Sequence, residues 1–229
     1  PEKAGFHRMY WRMDEKGPDR ASRTVAKNKK EFGGMDVKPG TYTIKMSFGE
    51  VTDEATITVK SDPRLPVNTA VINKVFATGK SIEKMSQTAA DAVKQLVESK
   101  IVAEKYSKDL KELDEKKYTD QIKASKAIVK QVDSIIALYL GTVDKRQGIT
   151  RNPEITVMQR IRTASYYTNT RKTGITKTER DLIRYAEAEL KSALEKTNLF
   201  FSDKWKAYRG TIDKLDVSSL KETESFSLD

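Results

Sequence analysis

The stretch KPGTYTIKMSFGEVTDEATITVK, residues 38–60, decides how the start of this chain folds. It opens with Pro39 and Gly40, which favour a tight turn. Apolar and polar residues then alternate, which is the period of a strand with one buried and one solvated face. The short FGEVTD between the two runs supplies a turn, so the sequence predicts a β-hairpin. Its apolar positions are Tyr42, Ile44, Met46 and Phe48 in the first run and Ala55, Ile57 and Val59 in the second.

Two further segments precede the hairpin. In FHRMYWRM, residues 6–13, Met9, Trp11 and Met13 alternate with the residues between them, which predicts a third strand. Residues 14–36 are charged and interrupted by glycine and proline, which predicts a long surface loop. Three strands do not close a sandwich, so we expect a partial sheet. Its apolar face would then be covered by the helices, by strands that precede Pro1 in a longer chain, or by a second copy of the chain.

Nearly everything after residue 66 is patterned as helix. Apolar residues recur three or four positions apart, which predicts an up-and-down bundle of four amphipathic helices. Gly79 is a weak point in the first helix. Asn152 and Pro153 are suited to begin the third, and Thr176 with Glu179 forms a capping-box pattern at the start of the fourth. The predicted helices cover about residues 67–113, 118–143, 153–170 and 177–215.

The composition is that of a folded, helix-rich protein. Of 229 residues, 37% are hydrophobic and 33% are charged, which excludes a disordered chain. No apolar run reaches the roughly 18–20 residues that span a bilayer, and PEKAGFHRMYW contains no signal-peptide core. The absence of cysteine excludes disulfides and thiolate chemistry. Because the chain starts at Pro1, we expect it to be a piece of a longer protein.

Three short motifs, in this order, carry a family resemblance. GFHRMYW, KPGTYTIKMSFG and TITVKSDPR, followed by long helices, resemble the C-terminal region of bacterial proteins with sortilin-type, BNR-repeat β-propellers, which are often labelled glycosyl hydrolase-like. Arg12 and Met13 depart from the Asp-Leu that the family tends to have. The matching residues are Gly5, Arg8, Trp11, Pro39, Gly40, Tyr42, Asp62, Pro63 and Arg64.

The resemblance implies an organisation and a role. It implies a partial immunoglobulin- or fibronectin-like module over residues 1–62, a helical bundle over 63–229, and a propeller upstream of Pro1. The fold class is then α+β, mainly α. The expected function is a non-catalytic accessory, scaffold or interaction region, with the propeller, another protein chain or a second copy as partner. The family also implies a periplasmic or secreted location, and any glycoside hydrolase activity would belong to the upstream part.

The residues contain no catalytic signature. The one histidine, His7, lies beside Arg8 with no carboxylate or serine at a telling spacing, and there is no phosphate loop, zinc-ligand cluster or nucleophile elbow. We expect neither a cofactor nor an enzyme. The aromatic residues Phe200, Phe201, Trp205 and Tyr208 could form a carbohydrate platform, but their helical spacing favours a place in the core.

The charge is concentrated in one segment. The formal net charge is +10, and residues 145–180 contain nine basic residues against two acidic ones. Tyr166 and Tyr167 accompany them, a combination that suits a polyanion. A solvated helix end is the simpler interpretation, domain docking is a third, and we do not expect nucleic acid as the partner. The candidate patch consists of Arg160, Arg162, Arg171, Lys172 and Lys177.

Overall fold

The structure, a computed structural model, describes residues 5–25, 31–65, 68–143, 154–170 and 173–215. Within these ranges two small antiparallel sheets of two strands each are followed by helices, so the predicted α+β, mainly helical class is confirmed. The elements are β1 (Asp14–Lys16), β2 (Gly33–Asp36), β3 (Gly40–Phe48), β4 (Val51–Val59), α1 (Thr69–Asp114), α2 (Thr119–Leu140), α3 (Val157–Thr170), α4 (Lys177–Leu199), a π-helical turn (Phe200–Trp205) and α5 (Lys206–Ile212).

Helix α1 is the axis of the bundle. Its 46 residues give a length of about 69 Å. Helices α2 and α3 both run antiparallel to it, one after the other along its length. Lys100, past the middle of α1, is paired with Asp133 of α2 at 2.8 Å, while Ile82, nearer the start of α1, lines the same cleft as Ile161 of α3. The four predicted helices therefore follow an up-and-down path in which α2 and α3 share one leg.

The third leg consists of α4, the π-turn and α5, which form one continuous helix along α2 and α3. Two buried hydrogen bonds join it to α2. Tyr139 and Thr197 are 2.8 Å apart at their hydroxyls, and Ser125 and Tyr208 are 2.9 Å apart. The most deeply buried core side chains of the first two legs include Ile82, Val93, Leu96, Leu110, Val132, Ile136, Tyr139 and Val157, and Ala186 of the third leg is 0% exposed.

The helix starts follow the local sequence. The side chain of Asn68 caps α1 by accepting a hydrogen bond from the Val71 amide at 3.1 Å. The predicted capping box of α4 is present, with the Thr176 amide donating to the Glu179 carboxylate at 2.7 Å. The predicted cap at Asn152 and Pro153 lies outside the described residues. No helix in the described ranges combines the length and the hydropathy that crossing a membrane requires.

The π-turn corrects a one-residue slip in the apolar pattern of the third leg. Thr197 and Phe200 are buried, and an uninterrupted α-helix would bury the residue four positions later, Lys204. The π-turn accommodates one additional residue, so the half-buried Trp205 takes that place and Lys204 stays exposed. Tyr208 then continues the buried stripe.

The prediction of a third strand over residues 6–13 is wrong. Within the described residues 5–13 there is no strand. Met13 has φ +59°, which interrupts an extended chain and turns its carbonyl toward the Val37 amide, 2.8 Å away. The alternation of FHRMYWRM therefore does not mark a strand. Residues 5–13, which we name the N-terminal strap, instead reach the hairpin through Trp11, whose ring centroid lies 5.5 Å from that of Tyr42.

The prediction of a surface loop over residues 14–36 is also corrected, because its ends pair as β1 and β2 and pack on α1. Met35 is 7% exposed and fills the space beside Gly79, where a Cβ would overlap the Met35 side chain. Glu83 accepts a hydrogen bond from the Met35 amide at 2.7 Å, and Gln87 accepts one from the Asp19 amide at 2.8 Å. The glycine that looked like a weak point is where this sheet docks.

The motif at residues 62–64 forms the junction between sheet and bundle. Arg64 binds the Asp62 carboxylate through two nitrogens, at 2.7 and 3.0 Å, and these bonds hold the pKa of Asp62 below its ordinary value. The Leu65 amide donates to the Asp62 carbonyl at 3.2 Å. Pro63 keeps Asp62 out of helical conformation, so the sheet ends before α1 begins at Thr69.

Candidate protein-interaction surface

The register of β3 and β4 sorts their side chains onto two different faces. Tyr42 pairs with Ile57, Ile44 with Ala55 and Phe48 with Val51, so the predicted hairpin is present and its apolar residues share one side. The other side carries five threonines. On that side the hydroxyls of Ser47 and Thr52 are 3.0 Å apart, and Lys45 forms an ion pair with Glu54 at 3.2 Å. We name the hairpin the ribbon. Its apolar face is Tyr42, Ile44, Met46, Phe48, Val51, Ala55, Ile57 and Val59, and Asp53, opposite Met46, is the one charged residue on that side.

The apolar face is exposed along most of its length. Ile44 is 38% and Ile57 42% exposed, and exposure rises to 54% at Met46 and 74% at Phe48, at the tip of the ribbon. The ribbon therefore projects from the bundle instead of packing on it. A large apolar patch on a soluble protein usually marks a binding surface, and a two-stranded hairpin by itself is only marginally stable. The expected covering of this face by the bundle is not what the structure shows.

The N-terminal strap extends the apolar surface at the base of the ribbon. Trp11 packs against Tyr42 and its indole donates to the Asp14 carbonyl at 3.0 Å. Phe6 is 88% and Tyr10 79% exposed. The strap contains the only histidine of the sequence, His7. In the described ranges no cluster of three His, Cys, Asp or Glu side chains is arranged to hold a metal ion.

A cleft of ≈ 390 Å³ opens where the base of the ribbon meets α1. Val59, the last residue of the apolar face, lines it. Lys38 closes one side, with its ammonium 5.2 Å from the centre of the Phe76 ring and 3.1 Å from the Asn73 side-chain oxygen. Clefts of this size at the junction of two units are common binding sites. The apolar lining is Met35, Val37, Pro39, Val59, Leu65, Val71, Ile72, Val75 and Phe76.

Charge is distributed unevenly along the ribbon. The acidic residues Glu50, Asp53 and Glu54 lie at or near the tip, and Lys60 lies at the base. The strap, which meets the base, adds Arg8 and Arg12, and Lys38 precedes the ribbon. Lys45 lies beside Glu54 near the tip, and Asp36 and Asp62 lie at the base, so the two ends of the ribbon are acidic and basic in net charge only. Among the described residues no third strand pairs with either of its edges.

The structure separates the members of the predicted basic patch that it describes. The guanidinium of Arg160 lies 5.4 Å from the centre of the Tyr185 ring of α4, whereas Arg162, two residues on, lines clefts on the opposite side of α3. Lys177 is paired with Asp181 at 2.7 Å. Arg171 and Lys172 lie outside the described residues. The polyanion hypothesis stays a hypothesis, since the three described residues do not share one face.

The aromatic cluster of the third leg belongs mainly to the core. Phe200 and Tyr208 are buried, and Phe201 and Trp205 are half-buried. Neighbouring ring centroids are between 5.2 and 6.5 Å apart, as in packed aromatic pairs. These contacts favour the core interpretation over a carbohydrate platform.

Sequence reasoning found the apolar face but not what lies around it. The alternation of apolar residues is the signal that identifies the face. The base cleft depends on contacts between residues far apart along the chain, such as Lys38 with Asn73, 35 positions later, and has no short sequence signal.

The chain was compared with family models, with curated proteins and with solved structures, and none of the three comparisons gave a match. The resemblance to the C-terminal regions of propeller proteins therefore stays a prediction.

Proposed function

We propose that this chain is a non-catalytic interaction and scaffold module, in which the helical bundle holds the ribbon and the ribbon docks against a protein partner through its apolar face. The observation that carries the proposal is the exposure of that face, from 38% at Ile44 to 74% at Phe48. Alternation places these residues together, although no part of the bundle that the structure describes covers them. An antiparallel sheet with one apolar face requires a second layer, and a docked partner would supply it.

The bundle is suited to hold the ribbon in a fixed position. Met35 fills its slot beside Gly79, and Glu83 fixes the Met35 backbone. Lys80 of α1 joins the helix to the first sheet, because its ammonium lies 2.5 Å from Glu83 of α1 and 3.0 Å from Glu15 of β1. The segment that precedes the ribbon is thereby attached to the longest helix of the bundle. A rigid support reduces the ordering cost of docking.

The family resemblance suggests the identity of the first partner. In the bacterial protein that it implies, an upstream propeller precedes this region, and we propose that propeller, or strands that lead from it, as a partner of the apolar face. The location would then be periplasmic or extracellular. If the parent protein hydrolyses glycosides, we assign the catalytic carboxylates to the propeller part, because the acidic residues of this chain alternate with lysines along its helices.

A photo-crosslinking amino acid placed on the ribbon tests the proposal. We expect the full-length gene product, expressed in its own cells with the crosslinker at position 46, to form a defined protein adduct on illumination. The matched control has the crosslinker at position 43, on the threonine face of the same strand, and should form much less. Equal yields at the two positions, or no adduct at position 46, would contradict docking through the apolar face.

A further inference from the structure

We infer that the apolar face can be covered by a second copy of this chain, with two ribbons packed face to face about a two-fold axis and pointing in opposite directions. This inference rests on the proposed function, because it uses the same face, and it names a second copy instead of the propeller as the occupant of that face. A two-fold interface needs a surface that is complementary to itself. Three features of the ribbon provide that: its shape, its charge and its area.

The shapes match when the two-fold axis passes beside Ile44 and Ala55, the pair at the centre of the ribbon. Reversing one ribbon about this axis places Phe48 of one copy over Gly40 of the other, and Val51 over Val59. Gly40 has no side chain of its own, and the Tyr42 ring lies 3.8 Å from where its Cβ would be, so the Phe48 ring would meet an aromatic ring at that position. Val59 lines the base cleft of ≈ 390 Å³. The most exposed side chains of the tip therefore lie over the open cleft at the base of the other copy.

The charges match in the same orientation. Asp53, which pairs with Met46 in the ribbon, would lie over Ile57 of the second copy, next to Tyr42 and the strap that packs on it. That strap carries Arg8 and Arg12. An acidic tip over a basic base occurs twice in a two-fold dimer, and opposite potentials across an interface favour one orientation over others. A parallel arrangement would instead place the two acidic tips over each other, and their like charges would repel.

The available area is sufficient for a stable dimer when the strap takes part with the ribbon. Counting about 150–250 Å² for a fully exposed large side chain, the exposed apolar residues of the ribbon and strap present on the order of 1,000 Å² per copy. A standard interface buries about 800 Å² per partner. The residues are Phe6, Met9, Tyr10, Trp11, Met13, Ile44, Met46, Phe48, Val51 and Ile57.

In the face-to-face dimer each bundle is joined to the base of its own ribbon, so the two bundles are attached at opposite ends of the ribbon pair.

Sedimentation velocity of the purified full chain over roughly 1–100 µM tests the inference. We expect a concentration-dependent dimer that is weakened at least about tenfold by Phe48→Ser and unchanged by the matched control Thr43→Ser on the threonine face. Circular dichroism verifies that both variants remain folded. A wild-type chain that stays monomeric over the whole range overturns the inference, while docking to another protein is still tested by the crosslinker at position 46.

A charge exchange tests the orientation. Asp53→Arg and Arg12→Asp should each weaken the dimer when measured separately. Mixed together, they should form a heterodimer tighter than either homodimer, because each reversed charge then meets its opposite. Equal weakening of the mixture and of the separate variants would overturn the antiparallel arrangement.

Discussion

Deleting Ser202 from the π-turn is expected to leave the free energy of unfolding within about 1 kcal/mol of wild type. The deletion removes the additional residue of the π-turn and restores an α-helical spacing, in which Trp205 and Tyr208 follow Phe200 by four and seven positions. Those are the spacings of one face of an α-helix. The buried stripe therefore survives, and a helix of ordinary geometry replaces the turn.

Deleting Lys191 from the middle of α4 is the matched control. Lys191 is exposed like Ser202, but its loss rotates Ala193, Thr197 and Phe200 by about 100° relative to the preceding part of the helix. These side chains are 3–4% exposed in the wild type. We expect a loss of about 4 kcal/mol or more, measured by urea unfolding. Similar losses for the two deletions would show that the π-turn does not absorb a slip in the pattern.

Replacing Tyr139 by alanine is expected to lower the free energy of unfolding by about 3–5 kcal/mol, the largest effect of any single substitution considered. Tyr139 is 0% exposed and joins α2 to α4. Tyr139→Phe keeps the ring and removes only the hydroxyl, so it should cost about 1 kcal/mol. The control is Tyr166→Ala, at a tyrosine 66% exposed on α3, which should change stability by about 0.5 kcal/mol or less.

The direction of the Tyr139 hydrogen bond follows from its partner. The Thr197 hydroxyl donates its proton to the Ala193 carbonyl at 2.8 Å, so Tyr139 must be the donor in the 2.8 Å bond between the two hydroxyls. Removing it leaves one lone pair of Thr197 without its donor inside the bundle. A cost near zero for Tyr139→Phe would contradict this hydrogen bond.

Alkaline pH provides a second measurement on the same residue. Burial raises the pKa of Tyr139 above its ordinary value of 10.0, against the opposing effect of the bond to Thr197. The unfolded chain therefore loses this proton near pH 10, while the native protein retains it. The unfolded state then binds fewer protons, so stability falls as the pH rises above 10. The fall should be smaller in Tyr139→Phe, and an equal fall in both proteins would contradict the assignment.

The elements that depend on local pattern could be predicted from the sequence. The ribbon follows from the alternation of Tyr42, Ile44, Met46 and Phe48, and the capping box follows from Thr176 and Glu179 three residues apart. Both signals come from residues that interact with near neighbours. The helical class follows in the same way from apolar residues three or four positions apart.

The elements that depend on distant contacts could not be predicted. Alternation over residues 6–13 satisfies a strand pattern, but the turn at Met13 is set by its contact with Val37. The docking of β1 and β2 depends on Met35 meeting Gly79, 44 positions later in the chain. In the sequence that glycine shows only its low helix propensity. The apolar face could be identified, but its exposure is a property of the whole fold.

The oxidation rate of Met46 tests most directly whether the apolar face is covered in the working protein. Met46 is 54% exposed in the isolated chain and Met35 is 7% exposed, so the two define an exposed and a protected rate within one molecule. We expect Met46 of the dilute isolated chain to oxidise much faster than Met35, and Met46 of the assembly from its own cells to oxidise almost as slowly as Met35. If Met46 reacts equally fast in the assembly and in the dilute chain, the apolar face is not a docking surface.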